Sequence, residues 1–299
     1  MNEKPSAKFK LFSYPKLEPH NFGGLDKQDY ETAKVVVVPV PYDSTTYYGG
    51  GTKQGPDAII EASRHMELYD LEQEKDISKA GIFTLESLEP SKNSPEETIE
   101  RVEKVISKIL RDDKFPLMFG GEHSLSLGPI RALSKKYKDL SVVHFDAHTD
   151  LRDEFEGTKF HHGCVMRRSI EECNVTVTHV GIRSVSEEEA KYLKNGGKEH
   201  NFVFYAEREE KPEDIVATLR ENVYITVDVD VLDSSVMPST GTPEPGGLSW
   251  YETLDVIRQI AKNRKVVGAD LVELAPIPGM VAPDFLVAKL AYKILSYAI

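Results

Sequence analysis

Eight short apolar runs, rich in β-branched residues, recur along this chain with stretches of helical periodicity between them. They cover residues 34–38, 81–85, 116–120, 141–148, 175–182, 202–205, 223–231 and 266–273. Several are apolar almost throughout instead of alternating with polar residues. That is the pattern of strands buried on both faces. Helix signals fill the gaps. Ser94-Pro-Glu-Glu97 offers a serine cap, a proline at the first helical position and a glutamate three residues after the cap. Ile99, Val102, Val105, Ile106 and Ile109 then follow at helical spacing. Ser186 with Glu189, and Ser249 with Glu252, repeat the capping pattern. Gly196 and Gly197 read as a helix stop, and Asp284 as the cap of a last helix ending near Ile299. Alternating β and α over this length predicts a three-layer α/β/α fold around a mostly parallel sheet of roughly eight strands. No linker, low-complexity tract or solenoid repeat interrupts the pattern. Residues 1–299 are therefore expected to form one domain, with 1–30 an amino-terminal extension packing on it. In such folds ligands bind beyond the carboxyl ends of the strands.

Composition narrows the partners. A net charge of -12 argues against a phosphate-backbone binder and agrees with a cationic substrate or a metal. Two cysteines, Cys164 and Cys173, are too few for a disulfide framework and fit a reducing cytoplasm. Residues 1–14 carry Lys4, Lys8 and Lys10 but no apolar run of signal length. Nowhere do about 18 apolar residues follow one another, so no membrane partner is expected.

Three of the apolar runs end in polar residues. The run beginning at Ser141 closes on Asp146, His148 and Asp150. In an extended chain these i, i+2 and i+4 positions share one side. The run from Val223 ends in Asp228 and Asp230, with Asp233 in the following turn. The run from Pro116 leads into Gly120-Gly-Glu-His-Ser124, with His123 just past it. A strand-end aspartate by itself is often only a turn former, and a lone histidine only a hydrogen-bonded core residue. Together, four carboxylates and two imidazoles at the ends of one sheet would be costly to desolvate without cations. An oxygen-rich set with some imidazole suits Mn²⁺, and six side chains suit two ions sharing carboxylates better than one.

These segments resemble the arginase/agmatinase family of ureohydrolases. Pro41-Tyr-Asp-Ser-Thr-Thr46 with Gly55, Pro56 and Glu61-Ala-Ser63 is similar to the family's amino-terminal region. Ser239-Thr-Gly-Thr-Pro243 with Gly246 and Gly247 is similar to its substrate-side loop, and Gly268-Ala-Asp-Leu-Val-Glu-Leu-Ala-Pro276 to its last core strand. The resemblance spans about residues 35–295, and its motifs are specific as a set rather than singly. It implies that His123, Asp146, Asp150 and Asp228 bind one manganese ion. It implies that Asp146, His148, Asp228 and Asp230 bind a second, with Asp146 and Asp228 bridging. Glu273 would pair with the substrate guanidinium, helped by Thr242, whose plainer reading is a turn threonine. In Lys159-Phe-His-His-Gly163 the proton relay falls on His162, with His161 the competitor. The implied catalytic residues are His162, Glu273 and Asp150, and the implied substrate contacts Glu273, Thr242 and His162. The implied reaction is attack of a metal-bridging hydroxide on the guanidinium carbon, expelling a protonated amine and urea.

Within the family the chain departs from arginases. Where they carry an asparagine for the substrate carboxylate this chain has Arg152, and where they carry an acid for the α-amino group it has Ser186. That disfavours arginine. The segments 41–46 and 150–156 look more like agmatinases, so the expected substrate is agmatine, cleaved to putrescine and urea. Asp153, Glu154 or Glu156 would receive its distal ammonium. Other ureohydrolase substrates (arginine, guanidinobutyrate, a formimino amino acid) and a non-catalytic metal-binding homologue are the alternatives. A nucleotide-binding reading rests only on Gly49-Gly-Gly51, which lacks a P-loop lysine at the required spacing. Family members are generally cytoplasmic homo-oligomers, trimers or hexamers, and the resemblance implies the same here.

Overall fold

Strand β1 (Val35–Pro39) shows why the apolar runs lie at the centre of the molecule. Val35 and Val37 pack into one core, and Val36 and Val38 into another, so both faces are dry. In the computed structural model, which describes residues 17–195, 197–207 and 210–299, seven further strands share this sheet. They are β4 (Ile82–Thr84), β5 (Phe115–Phe119), β6 (Leu140–Phe145), β7 (Thr176–Ile182), β8 (Asn201–Tyr205), β9 (Asn222–Asp228) and β10 (Lys265–Val272). A separate two-stranded hairpin is formed by β2 (Tyr69–Asp70) and β3 (Lys75–Asp76). The sheet order is β4-β1-β5-β10-β9-β6-β7-β8, and every pairing in it is parallel. The expected eight strands and their class are therefore present.

Helices cover both faces. The core holding Val35 also takes side chains of α1 (Gly55–Ser63), α6 (Pro212–Ala217), α7 (Trp250–Asn263) and α8 (Val281–Ala298). The core holding Val36 takes those of α2 (Pro95–Arg111), α3 (Leu127–Lys136), α4 (Val165–Cys173) and α5 (Glu187–Lys194). Each fully buried Val, Leu or Ile in these layers contributes about 1.5–3 kcal/mol relative to an exposed one. Ahead of β1, Phe22 is buried with its ring 5.2 Å from that of Phe119.

Several local expectations need correction. Ser186 and Ser249 form full capping boxes with Glu189 and Glu252. Ser94 caps α2, but Glu97 turns its carboxylate to Ser91 Oγ at 2.6 Å instead of back to the cap. Helix α8 starts at Val281 with Met280 as its cap, so Asp284 lies inside the first turn, where its charge faces the helix dipole without capping. Helix α5 ends at Lys194; of the expected stop, Gly197 opens a short 3-10 turn, and Gly196 lies outside the described residues, as do Lys4, Lys8 and Lys10. The polar ends of the long runs mostly lie beyond the strands, with Asp228 the last residue of β9. Strand β6 stops at Phe145, Asp230 sits in a 3-10 turn after β9, and Glu273 follows β10.

Candidate metal centre

The four strands at the middle of the sheet, β5, β10, β9 and β6, are neighbours, and their carboxyl ends carry every expected metal ligand and Glu273. After β5 the chain turns at Gly120-Gly121. A side chain at Gly121 would put its Cβ 1.7 Å from the Tyr42 carbonyl oxygen, so only glycine lets the segment before His123 pack there. After β6 the chain leaves the sheet, and Asp150 adopts φ 53°; after β10 Glu273 adopts φ 64°. Both are left-handed conformations costly for such residues, and strain of this kind concentrates at functional sites.

Carboxylates converge on His123. Its Nδ1 lies 3.1 Å from Asp146 Oδ2, 3.3 Å from Asp150 Oδ2 and 3.4 Å from Asp228 Oδ2. None of these meets hydrogen-bond geometry, so among the described residues Nδ1 is a buried nitrogen without a hydrogen-bond partner. The ring's other nitrogen is engaged: Nε2 is 2.9 Å from Thr226 Oγ1, and that hydroxyl donates to Asp270 Oδ1 at 2.6 Å. Thr226 therefore accepts from Nε2–H, so in the neutral ring it is the Nδ1 lone pair that faces three acids. Beside it, His148 Nδ1 lies 3.1 Å from Asp230 Oδ2 and 3.3 Å from Asp146 Oδ1. Asp146 thus sends one oxygen to each group. The sets His123, His144, Asp146, Asp150 and Asp146, His148, Asp230 are each tight enough to hold an ion. The first omits Asp228, whose oxygen nonetheless faces His123, and includes His144, whose two nitrogens are already used.

The electrostatics of this cluster are unbalanced. Burial pushes the Asp228 carboxyl well up, and Asp230 and Asp146 beside it push further. Burial and Asp146 raise Asp150; burial and Glu122 raise Glu273 well above the usual range. Burial favours a neutral His123, yet Asp146, Asp150 and Asp228 hold its imidazole well above the usual value. The raised carboxyls call for positive charge at one spot, whereas His144, His123 and His148 outweigh burial at Asp146 and hold it well below the usual range.

Glu273 Oε1 accepts the His123 backbone N–H at 2.6 Å. With Thr242, His161 and His162 it lines a cavity of about 450 Å³ that opens past Tyr47, Tyr48 and Phe155. Arg152 and Ser186 line it too, Arg152 stacked 4.6 Å from the Phe155 ring centre and Ser186 capping α5. The residues expected for the distal amine do not. Asp153 instead pairs with Arg168 at 2.7 Å, Glu154 and Glu156 are exposed, and none of the three is in the cavity wall. Glu244, unremarked in the sequence, lines the cavity with its Oε1 3.8 Å from His148 Nε2.

His162 and His161 differ in their protons. Thr45 Oγ1 donates to Glu122 Oε1 at 2.8 Å, so at 3.3 Å it accepts from His162 Nδ1–H, which leaves His162 Nε2 unprotonated. His161 Nδ1 accepts the Gly163 backbone N–H at 3.1 Å, so its proton sits on Nε2. Burial takes His162 down to about 3 and, with Arg152, His161 to about 4, so both are neutral near pH 7.

A supporting layer escaped the sequence reading. His144 Nε2 is 2.8 Å from Asp146 Oδ2, its Nδ1 2.9 Å from His179 Nδ1, and His179 Nε2 2.8 Å from Asn201 Oδ1. Glu189 accepts from Thr149 Oγ1 at 2.8 Å and Leu151 N–H at 2.9 Å, holding the loop around Asp150. The signal for His144 and Asp270 was legible: each is a polar residue deep in a mostly apolar strand. Nothing local marks Glu189 as more than a cap.

The profile of the arginase family matches residues 33–296. The N(1)-aminopropylagmatine ureohydrolase of Synechocystis sp. is 40% identical over 280 residues, 90% of this chain and 90% of that one. The agmatinase of Pyrococcus horikoshii is 36% identical over 263 residues, 84% of this chain and 87% of its own. Among solved structures, the agmatine ureohydrolase of Thermoplasma volcanium aligns with a TM-score of 0.84 at 31% identity, covering 96% of this chain and 95% of that one.

Proposed function

Because this chain belongs to the arginase family, hydrolases of amidine C–N bonds, we propose that it releases urea from agmatine with two manganese ions bound at the cluster around His123 and His148. The observation that carries this reading is the unpartnered Nδ1 of His123 facing three carboxylate oxygens at 3.1–3.4 Å. Donor atoms around one octahedral ion with bonds near 2.1 Å stand about 3.0 Å apart. The residues present therefore fit such an ion, and oxygen donors with two imidazoles suit manganese. His123, Asp146, Asp150 and Asp228 would hold one ion; Asp146, His148, Asp228 and Asp230 the other. Bound there, divalent ions supply Lewis acidity, which makes water a competent nucleophile near neutral pH.

The protein's own groups do the rest. Glu273, one oxygen anchored by the His123 N–H, accepts the planar guanidinium in paired hydrogen bonds and fixes its carbon above the cluster. Thr242 holds the guanidinium from the facing loop. His162, neutral with Nε2 unprotonated, takes a proton there and delivers it to the departing amine, without which the amine is a very poor leaving group. His161 has the opposite tautomer and serves as the cap of the short turn at residues 162–164.

A second substrate reading has its own support. A relative 40% identical is named for N(1)-aminopropylagmatine, and a cavity of about 450 Å³ with an aromatic mouth has room for a longer cationic tail. The deciding experiment is urea release by manganese-loaded protein offered agmatine, N(1)-aminopropylagmatine, arginine and guanidinobutyrate, with a chelated control. Manganese-dependent turnover greatest on agmatine is the expected result. Preference for the aminopropyl compound moves the substrate and keeps the chemistry. No urea from any of them, with metal bound, rejects the function.

A further inference from the structure

Arg183 follows β7 and spreads its guanidinium across three loops of the site. Its Nη2 donates to the Asp230 carbonyl at 2.5 Å and the Glu244 carbonyl at 2.8 Å. Its Nε donates to the Pro245 carbonyl at 2.9 Å and its Nη1 to the Gly181 carbonyl at 3.1 Å. The carbonyls of Val231 and Leu232 stand 3.5 Å away. A guanidinium has five N–H donors in one rigid plane and stays charged, so one side chain can serve acceptors from several segments at once. Here those acceptors belong to the end of β7, the turn carrying Asp230, and the loop carrying Thr242 and Glu244.

The far end of that loop is tied separately. Asp233 Oδ2 accepts the backbone N–H groups of Gly246 at 2.8 Å and Gly247 at 3.2 Å. Thr242 and Glu244, both in the cavity wall, lie at or just before these adjacent anchors along the chain. On the other side of the clamp, Asp230 Oδ2 faces His148 Nδ1 at 3.1 Å, and Asp230 Oδ1 accepts the Ala147 N–H at 2.9 Å.

We propose that Arg183 is a positioning residue: it locks the substrate-side loop to the Asp230 turn, so that metal ligand and guanidinium contact keep one spacing. It acts through backbone carbonyls. The substrate part of this inference rests on the proposed function; the metal part rests on the cluster alone. A lysine, with a single point of charge on a flexible stem, cannot serve all these carbonyls in one plane.

Arg264 is the internal control. It makes the same kind of contact, to the carbonyls of Leu219 at 3.0 Å, Val216 at 3.0 Å and Asn263 at 2.9 Å, but next to the amino ends of β9 and β10. The experiment compares R183M, R183K and R264M with the wild type. Its readouts are manganese titration of the metal-stripped proteins by calorimetry, melting temperature, and kcat and KM for agmatine. Supporting groups behind metal ligands commonly change affinity 10–100-fold. R183M is expected to weaken one of two manganese sites by about that range and to raise KM more than it lowers kcat, with R183K between it and the wild type. R264M is expected to lower the melting temperature and leave manganese affinity and KM within about twofold. Wild-type manganese affinity and KM in R183M overturn the proposal, as does an equal loss in R264M, which would mark a general stability effect. If R183M does not fold, R183K against R264M decides in the same way. Manganese titration needs no substrate, so an inactive wild type would reject the proposed function and leave the metal result readable.

Discussion

Two clusters of acids in this molecule behave in opposite ways. Beyond the central strands Asp150, Asp228 and Glu273 crowd together, and burial pushes all three carboxyls up. Near the β2–β3 hairpin, Asp70 and Glu72 meet cations of the chain itself. Lys293 Nζ reaches Asp70 Oδ2 at 3.0 Å and Glu72 Oε2 at 2.6 Å, and Arg258 Nη1 reaches Glu72 Oε1 at 2.8 Å. Burial works upward on Glu72 as well, but Lys293, Tyr297 and Arg258 outweigh it and hold the carboxyl at about 2. The side-chain type is the same; the source of counter-charge differs. The hairpin cluster is complete as folded. The central cluster has too few cations of its own, and its geometry calls for them from outside.

Removing metal should open the widest gap between the two. Chelation is expected to take urea release to background and manganese to restore it. At a free ion concentration 100 times Kd, binding adds about 2.7 kcal/mol of stability, visible as a melting-temperature difference in calorimetry. Full activity in protein shown by elemental analysis to be metal-free would break the comparison.

Carboxylates within the central cluster should then separate by role. E273Q is expected to keep both ions and lose about 10²–10³-fold in kcat/KM, the cost typical of one electrostatic contact to the reacting group. D228N is expected to lose bound metal. Elemental analysis beside kinetics distinguishes them, and metal loss in E273Q would make Glu273 a ligand.

Single substitutions should also differ in their effect on folding. D70N leaves Lys293, which is 7% exposed, short of one partner. Breaking a buried pair costs about 3–5 kcal/mol, and the low end is expected because Glu72 still faces Lys293. D228N in metal-free protein removes one of several repelling charges, and its cost is expected to be within about 1 kcal/mol of zero. Urea unfolding midpoints measured under chelation report both; equal losses would refute the contrast.

The smallest effect lies on the acid limb. Glu72 falls from 4.5 unfolded to about 2 folded, so its contribution is complete above pH 4.5 and disappears as pH drops through 2. E72Q should flatten the stability curve over that window and lower it by a constant amount above it. An unaltered acid limb would show that the ion pairs around Glu72 are screened by solvent.

Much of this architecture was legible along the chain because its causes are local. A run buried on both faces must be apolar throughout, so eight strands could be read directly, and a serine followed three residues later by glutamate marks a helix start. The six side chains of the cluster stood out because charge at the end of an apolar run is costly without compensation. Long-range placement was not legible. Glu273 meets the His123 backbone across 150 residues, and Arg183 reaches carbonyls 47 to 62 residues away. No local pattern records that β10 and β9 lie between β5 and β6. Nor does one record that Asp153, Glu154 and Glu156 stay out of the cavity wall while Phe155 and Glu244 line it. Periodicity and capping depend on neighbours a few positions apart, whereas which ends converge depends on the order of strands, which only the folded chain decides.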